Sequence, residues 1–240
     1  MPRVSPPRGY PLQPKKSKTM RKIEVCCGSL HDVEEAFAGG AIRVELCGDL
    51  DVGGVTPPYE WIEEAVARFP GRAVNVMVRP RGGDFVYSEK EVTSMLADIA
   101  FCKKAGVHGV VFGALTRDGE IDKRVMRRLM AAARPQLSVT FHRAFDECAH
   151  PMEALEEIIA LGCDRLLTSG QASTAPQGAL LLAALVKQAA GRIVVMPGCG
   201  VRPGNIVPLE RACGAAEYHS TSRGEEGHAH RDVVAQLVNA

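Results

Sequence analysis

A short signature recurs along the chain: a glycine follows a predicted helix, and a predicted strand begins within a few residues. The glycines are Gly40, Gly106, Gly162 and Gly214. A glycine at this point caps the helix in the left-handed conformation and lets the chain turn sharply into the next strand. The repetition indicates that one strand–helix unit is used several times along the chain.

Eight apolar segments fit this unit, and an amphipathic segment follows each. The predicted strands cover residues 23–27, 42–47, 73–79, 109–113, 137–142, 164–169, 192–197 and 216–220. Residues typical of helix starts stand between them, at Ser29, Pro58, Ser88 with Glu91, Asp122, Pro151 and Pro203. Strict alternation of strand and helix requires parallel strands with right-handed crossovers. Eight units within 240 residues predict an α/β fold of the (β/α)8 TIM-barrel type over residues 21–240. An open nucleotide-binding sheet is disfavoured, because no G-x-G-x-x-G opens the first helix.

Charge and composition limit the classes of partner. Residues 1–22 carry seven basic side chains and no acid, which leaves 22 basic against 28 acidic residues in the rest of the chain. An acidic body argues against nucleic acid as a partner, since phosphate binding needs a basic surface. No apolar run approaches the roughly 18 residues of a membrane span, so we predict a cytoplasmic protein without a membrane partner. Five prolines within the first 14 residues predict a disordered basic arm over residues 1–20, with a nuclear or organelle address as the alternative.

The predicted barrel interior is unusually polar. Side chains on a strand alternate between two faces, so Val74 and Val76 of the third strand face the helices while Asn75 faces inward. The same test on the other strands adds Glu24, Glu45, Arg79, His142, Glu217 and His219 to the interior. Two interpretations are open: an ion-paired network that holds the barrel together, or a functional site. Residues at the carboxyl ends of strands favour the second, since barrel sites lie at that rim.

Two cysteines end neighbouring predicted strands, each two residues after an inward glutamate. Cys26 stands in E-V-C and Cys47 in E-L-C, and neighbouring strands lie about 4.8 Å apart, so the two sulfurs could converge. Two convergent thiolates would suit a soft cation such as Cu(I), while Zn(II) prefers four ligands. The alternative is a pair of buried thiols that fill the top of the barrel. We predict that all eight cysteines are reduced, because a long chain without a secretory signal needs no disulfides.

Residues in the loops after the third, seventh and eighth strands point to anion binding. The candidates are Arg79, Arg81, Gly198, Gly200 and Arg223. In this fold the rim after strands seven and eight commonly binds phosphate through backbone N–H groups.

Several long motifs resemble the copper homeostasis protein CutC family over about residues 23–223. They are Glu24–Cys27, Arg43–Cys47, Gly53–Pro57, Arg79–Phe85, Thr140–Asp146, Leu167–Gly170 and Tyr218–Ser220. The resemblance implies a self-associating (β/α)8 barrel, as a dimer or tetramer, in the cytoplasm and in animals also in the nucleus. It further implies copper handling with one Cu(I) per subunit, bound by Cys26 and Cys47. Gly198-Cys199-Gly200 departs from the family's usual three glycines, and the chain ends soon after His230.

Three hypotheses of function follow. The first is a copper homeostasis protein that binds Cu(I) through Cys26 and Cys47, with Glu24 and Glu45 beneath them as electrostatic support. The second is a lyase or isomerase acting on a small phosphorylated or carboxylated substrate, with His142 as acid or base and Asp146 or Glu45 as further catalytic candidates. Arg79 and Arg223 would then hold the anion. The third is a scaffold that acts through its surface or its basic arm.

Overall fold

The computed structural model describes residues 20–224 and 227–240. The predicted disordered arm over residues 1–20 therefore lies, except for Met20, outside the described residues and stays a prediction.

Eight strands alternate with eight helices in the described chain. The strands are β1 (Lys22–Cys27), β2 (Arg43–Leu46), β3 (Ala73–Met77), β4 (Gly109–Phe112), β5 (Ser138–Phe141), β6 (Arg165–Thr168), β7 (Val194–Pro197) and β8 (Glu217–Ser220). The helices are α1 (Leu30–Ala38), α2 (Tyr59–Arg68), α3 (Glu89–Ala105), α4 (Lys123–Ala133), α5 (Pro151–Leu161), α6 (Ala179–Ala189), α7 (Ile206–Cys213) and α8 (Arg231–Asn239). All eight predicted strands are present, most of them shortened by one or two residues at an end.

The strands form one parallel sheet that curls into a nearly closed barrel. The order is β7-β6-β5-β4-β3-β2-β1-β8, and every ladder in it is parallel. The two terminal strands of this order, β7 and β8, lie in contact with each other. The predicted (β/α)8 barrel is confirmed.

The helix starts follow the capping residues that the sequence predicts, with one exception. Ser88 and Glu91 form a reciprocal capping box at α3, and the side chain of Asp122 accepts a hydrogen bond from Val125 at the start of α4. Pro203 does not open α7, because a turn intervenes and Asn205 is the residue before the helix. A proline fixes its own φ angle, which suits a turn as well as a first helical turn, and this explains the error.

Two kinds of interface fill the molecule. The apolar faces of the strands, such as Val25, Val44 and Val139, are completely buried against the helices. The other faces place buried charged groups inside the barrel, including Glu24 and Glu45. Across residues 20–224 and 227–240, no helix is both long enough and apolar enough to cross a membrane.

Candidate metal centre at the barrel mouth

Two thiols meet where β1 and β2 end. Cys26 lies on the inner face of β1, while its neighbour Cys27 is buried on the outer face, in the core between strands and helices. Cys47 directly follows β2 and is 1% exposed. The Sγ atoms of Cys26 and Cys47 are 4.0 Å apart, and all eight cysteines are free thiols. The convergence expected from the two E-x-C motifs is present.

A histidine and a carboxylate complete this cluster. Ligand atoms of Cys26, Glu45 and His219 all lie within 4.8 Å of one another. Nε2 of His219 is 3.5 Å from Oε2 of Glu45, and Sγ of Cys47 is 3.6 Å from that same oxygen. We call Cys26, Cys47, Glu45 and His219 the thiol cluster.

A network of ion pairs supports the cluster from below. Glu24 is paired with Arg43, and its other oxygen, Oε1, lies 2.9 Å from Nδ1 of His219. Arg43 also donates to Glu217 at 2.6 Å, which Arg165 reaches at 3.3 Å. Buried charges are tolerated when they are paired and hydrogen-bonded. Glu24 and Glu217 therefore belong to the network that holds the barrel interior together.

The two thiols differ in acidity. The hydrogen bond with the Cys47 thiol, reinforced by His219, lowers the pKa of Cys26 to about 5, although burial opposes ionisation. The same hydrogen bond, together with burial, raises the pKa of Cys47 well above its usual value. Cys26 is thus a thiolate at neutral pH, and Cys47 is the thiol that donates to it.

The acid and the histidine of the cluster are also perturbed. Burial raises the pKa of Glu45 to about 8. Burial acts against a charged His219, but the carboxylates of Glu45 and Glu24 and the thiolate of Cys26 raise its pKa well above the usual value. Burial likewise opposes ionisation of Glu24, yet Arg43 and His219 hold its pKa at about 2.

The donor set fits a soft metal ion. Two sulfurs on either side of one ion are separated by about twice a metal–sulfur bond, or about 4.6 Å if the bond is near 2.3 Å, and the 4.0 Å between Cys26 and Cys47 is close to that. Oε1 of Glu45 is buried without a hydrogen-bond partner among the described residues. Glu24 holds His219 from the Nδ1 side, which is the outer support that metal-ligating histidines usually have.

A cavity of about 800 Å³ opens above the thiol cluster and reaches the opposite side of the barrel mouth. His142, directly after β5, lines the cavity and is 2% exposed. Its Nδ1 accepts a hydrogen bond from the backbone N–H of Ala144, so its proton lies on Nε2, which has no partner among the described residues. Burial lowers the pKa of His142 to about 3 and keeps the ring neutral. A Cβ at Gly113 would come within 2.8 Å of this ring, so the strand end there needs a glycine.

Asp146, the other catalytic candidate near His142, has different partners. Its carboxylate accepts hydrogen bonds from the hydroxyl of Thr168 at 2.5 Å, from the backbone of Ser169 at 3.0 Å and from the backbone of Gln171 at 3.2 Å. Arg143 pairs with it at 2.8 Å. Asp146 therefore organises the loop after β6, and in this structure it forms no hydrogen bond with His142.

The predicted anion-binding residues divide into two groups. Arg79, Gly200 and Arg223 line the cavity, whereas Arg81 pairs with Asp84 and Glu91 and, like Gly198, is not among its lining residues. Both terminal nitrogens of the Arg79 guanidinium donate to backbone carbonyls, those of Val52, Gly54 and Gly83. Anion binding by this set stays a prediction.

Sequence reasoning placed Glu45 and His219 in the interior but did not join them to the thiols as ligands. The available signal was closure of the barrel, which makes β8 a neighbour of β1. The observed register pairs Glu24 with His219 across these strands, and this brings the histidine within reach of Cys26.

Comparison with known proteins gives a consistent result. The model of the CutC family matches residues 21–224. A family protein CutC of Parabacteroides distasonis is 57% identical over 203 residues, which cover 85% of this chain and 83% of that protein. A copper homeostasis protein cutC homolog of Homo sapiens is 48% identical over 201 residues, 84% of this chain and 73% of that protein. The crystal structure of a CutC protein from Streptococcus agalactiae superposes with a TM-score of 0.80 at 34% identity, covering 84% of this chain and 99% of that one.

Proposed function

This chain belongs to the CutC family, and from that premise we propose that it handles copper by binding one Cu(I) ion per subunit between Cys26 and Cys47. The observation that carries the proposal is the 4.0 Å separation of the two Sγ atoms at the mouth of the barrel. Soft thiolates select Cu(I) over hard cations, and Cu(I) is satisfied by few ligands.

The protonation states of the pair suit this role. A metal binds the thiolate, and Cys26 supplies one without a further proton loss because its pKa is held at about 5. Cys47 releases its proton when the ion binds, since coordination replaces the hydrogen bond that it donates to Cys26.

His219 and Glu45 are the candidates for additional ligands. Nε2 of His219 faces the cluster while Glu24 accepts from Nδ1, so the ring is oriented for coordination. All four donors together would instead suit tetrahedral Zn(II). The name copper homeostasis protein, carried by the human relative, and the close pair of thiols favour Cu(I) as the cargo.

The test is an anaerobic titration with Cu(I) against a competing chelator, repeated with Zn(II). We expect one Cu(I) per wild-type subunit, and loss of this binding in a Cys26→Ser, Cys47→Ser double variant. Cys102→Ala is a matched control, since Cys102 is a completely buried thiol of α3 in the core between strands and helices. Unchanged stoichiometry in the double variant, or a clear preference for Zn(II), would remove the proposal.

Location and assembly are further parts of this proposal. We propose a cytoplasmic protein, also nuclear in animals, that forms a dimer or tetramer, as the family resemblance implies. Fractionation of cells and the solution mass of the purified chain test these two statements.

A further inference from the structure

We propose that the protein receives Cu(I) as a complex with a small anionic thiol, and that the wall of the cavity around His142 and Arg223 binds the carboxylates of this carrier. The inference rests on the proposed function, because it names the form in which the cargo arrives at the same site.

The size of the cavity is the first argument. Its volume is about 800 Å³, whereas a single water-sized occupant needs only about 10–15 Å³. Sites for small organic molecules occupy about 300–1,000 Å³. The cavity is therefore large enough for a carrier of peptide size together with its ion.

The charge on the cavity wall is the second argument. Four arginines line the cavity, Arg79, Arg143, Arg202 and Arg223. The lining carboxylates are Glu45, Asp146 and Glu147, and Asp146 already accepts several hydrogen bonds. A bare cation gains nothing from such a wall, whereas a complex that carries carboxylates is attracted by it.

Individual donors on this wall are available to a ligand. The exposed Arg223 side chain makes no hydrogen bond or ion pair with the described residues, and its residue lines both this cavity and a smaller one beside Cys26. The guanidinium of Arg202 uses only one of its terminal nitrogens, toward Val201 and Thr221. Planar guanidinium groups bind carboxylates through two parallel hydrogen bonds.

His142 adds a buried neutral donor to the same wall. Its Nε2–H has no partner among the described residues, and the ring is held by Phe85, with ring centroids 4.9 Å apart, and by the N–H of Ala144. An unpaired buried donor costs free energy that a ligand oxygen would recover. Such a donor fits an amide or carboxylate oxygen of an organic molecule and has no use for a bare metal ion.

The transfer itself is a ligand exchange without a redox change. The bond between copper and the carrier thiolate breaks, and a bond between copper and Sγ of Cys26 forms while copper stays Cu(I). Cys47 then gives its proton to the departing carrier thiolate and becomes the second ligand. The carrier leaves as a free thiol, so charge and protons balance.

The experiment measures Cu(I) uptake by the metal-free protein from the Cu(I) complex of glutathione, a tripeptide thiol with two carboxylates. We expect saturation with carrier concentration and competitive inhibition by S-methylglutathione, which has the carboxylates but no free thiol. Arg223→Ala should raise the half-saturating concentration about tenfold, since a charge-assisted hydrogen bond contributes about 1.5–3 kcal/mol. His142→Phe, which keeps an aromatic ring, should raise it as well, and Arg211→Ala, an exposed arginine on α7, should not.

Salt dependence supplies a second readout. Between about 0.01 and 1 M salt the Debye length falls from about 30 to about 3 Å, so uptake from anionic Cu(I)–glutathione should slow. Uptake from the cationic acetonitrile complex of Cu(I) should not slow. If the wild type retains Cu(I) at equilibrium but takes it up equally from both donors, without inhibition by S-methylglutathione and without an effect of Arg223→Ala, the carrier inference is wrong and the Cu(I) site stands. If the wild type does not retain Cu(I) at all, both are wrong.

Discussion

Nδ1 of His219 lies 2.9 Å from Oε1 of Glu24, and this contact joins the ion-paired interior of the barrel to the thiol cluster at its mouth. The histidine presents its other nitrogen toward Glu45 and Cys26. The same carboxyl group of Glu24 is also paired with Arg43, so one residue both stabilises the barrel and orients a candidate ligand.

The first prediction concerns Glu24→Gln. We expect Cu(I) affinity to fall about 10–100-fold, because the outer partner of a metal-ligating histidine fixes its orientation and its basicity. The free energy of unfolding should also fall, by about 3 kcal/mol, since Arg43 loses one of its two buried partners. Chelator competition measures the first quantity and chemical denaturation the second. Full affinity in a destabilised variant would show that His219 plays no part in binding.

The second prediction concerns the reactivity of Cys26 in the metal-free protein. Since the pKa of Cys26 is about 5, alkylation by iodoacetamide should be almost independent of pH above about pH 6 and should slow as the pH falls below about 5. Cys47→Ala should move this transition to higher pH, because the Cys47 thiol is the main cause of the lowered pKa. Mass spectrometry of the labelled protein assigns the site. An alkylation midpoint near pH 9 in the wild type would contradict the thiolate assignment.

The third prediction uses the neutral state of His142. Burial holds its pKa at about 3 in the folded protein, against about 6.5 in an unfolded chain. Below pH 6.5 the unfolded state therefore binds the extra proton, and stability falls as the pH falls, by up to about 1.4 kcal/mol per pH unit. His142→Phe should remove this part of the acid sensitivity between pH 6.5 and 4.5. Denaturation curves for both proteins across that range give the difference, and parallel pH profiles would refute it.

The fourth prediction separates Asp146 from the metal centre. Asp146→Asn replaces one acceptor oxygen by an NH2 group that faces the N–H donors of Ser169 and Gln171. We expect the free energy of unfolding to fall by about 2 kcal/mol, while the Cu(I) stoichiometry stays that of the wild type. A variant with normal stability and reduced Cu(I) binding would assign Asp146 to the site instead.

The fold could be predicted from the sequence because its signals are local and repeated. Alternation along β3 and the glycines after helices are properties of short segments, and they suffice for eight strand–helix units. Strand ends were less accurate, as at Arg79, where the predicted strand continues beyond β3 (Ala73–Met77). The side chain there binds loop carbonyls, a contact between distant segments that periodicity does not reveal.

The candidate site was only partly predictable for a related reason. Cys26 and Cys47 stand on consecutive strands, so their convergence follows from a parallel pairing that the sequence itself suggests. His219 joins them only because the barrel closes between β8 and β1, almost 200 residues apart in the chain. The sequence also could not reveal that Asp146 is used by the loop after β6, since a carboxylate's hydrogen bonds depend on the path of that loop.

X-ray absorption at the copper edge of the protein loaded with one equivalent of Cu(I) tests the central claim most directly. The account predicts two sulfur atoms in the first coordination shell, both lost in the Cys26→Ser, Cys47→Ser variant and retained in Cys102→Ala. A first shell of nitrogen and oxygen alone, or a sulfur shell that persists in the double variant, would contradict it.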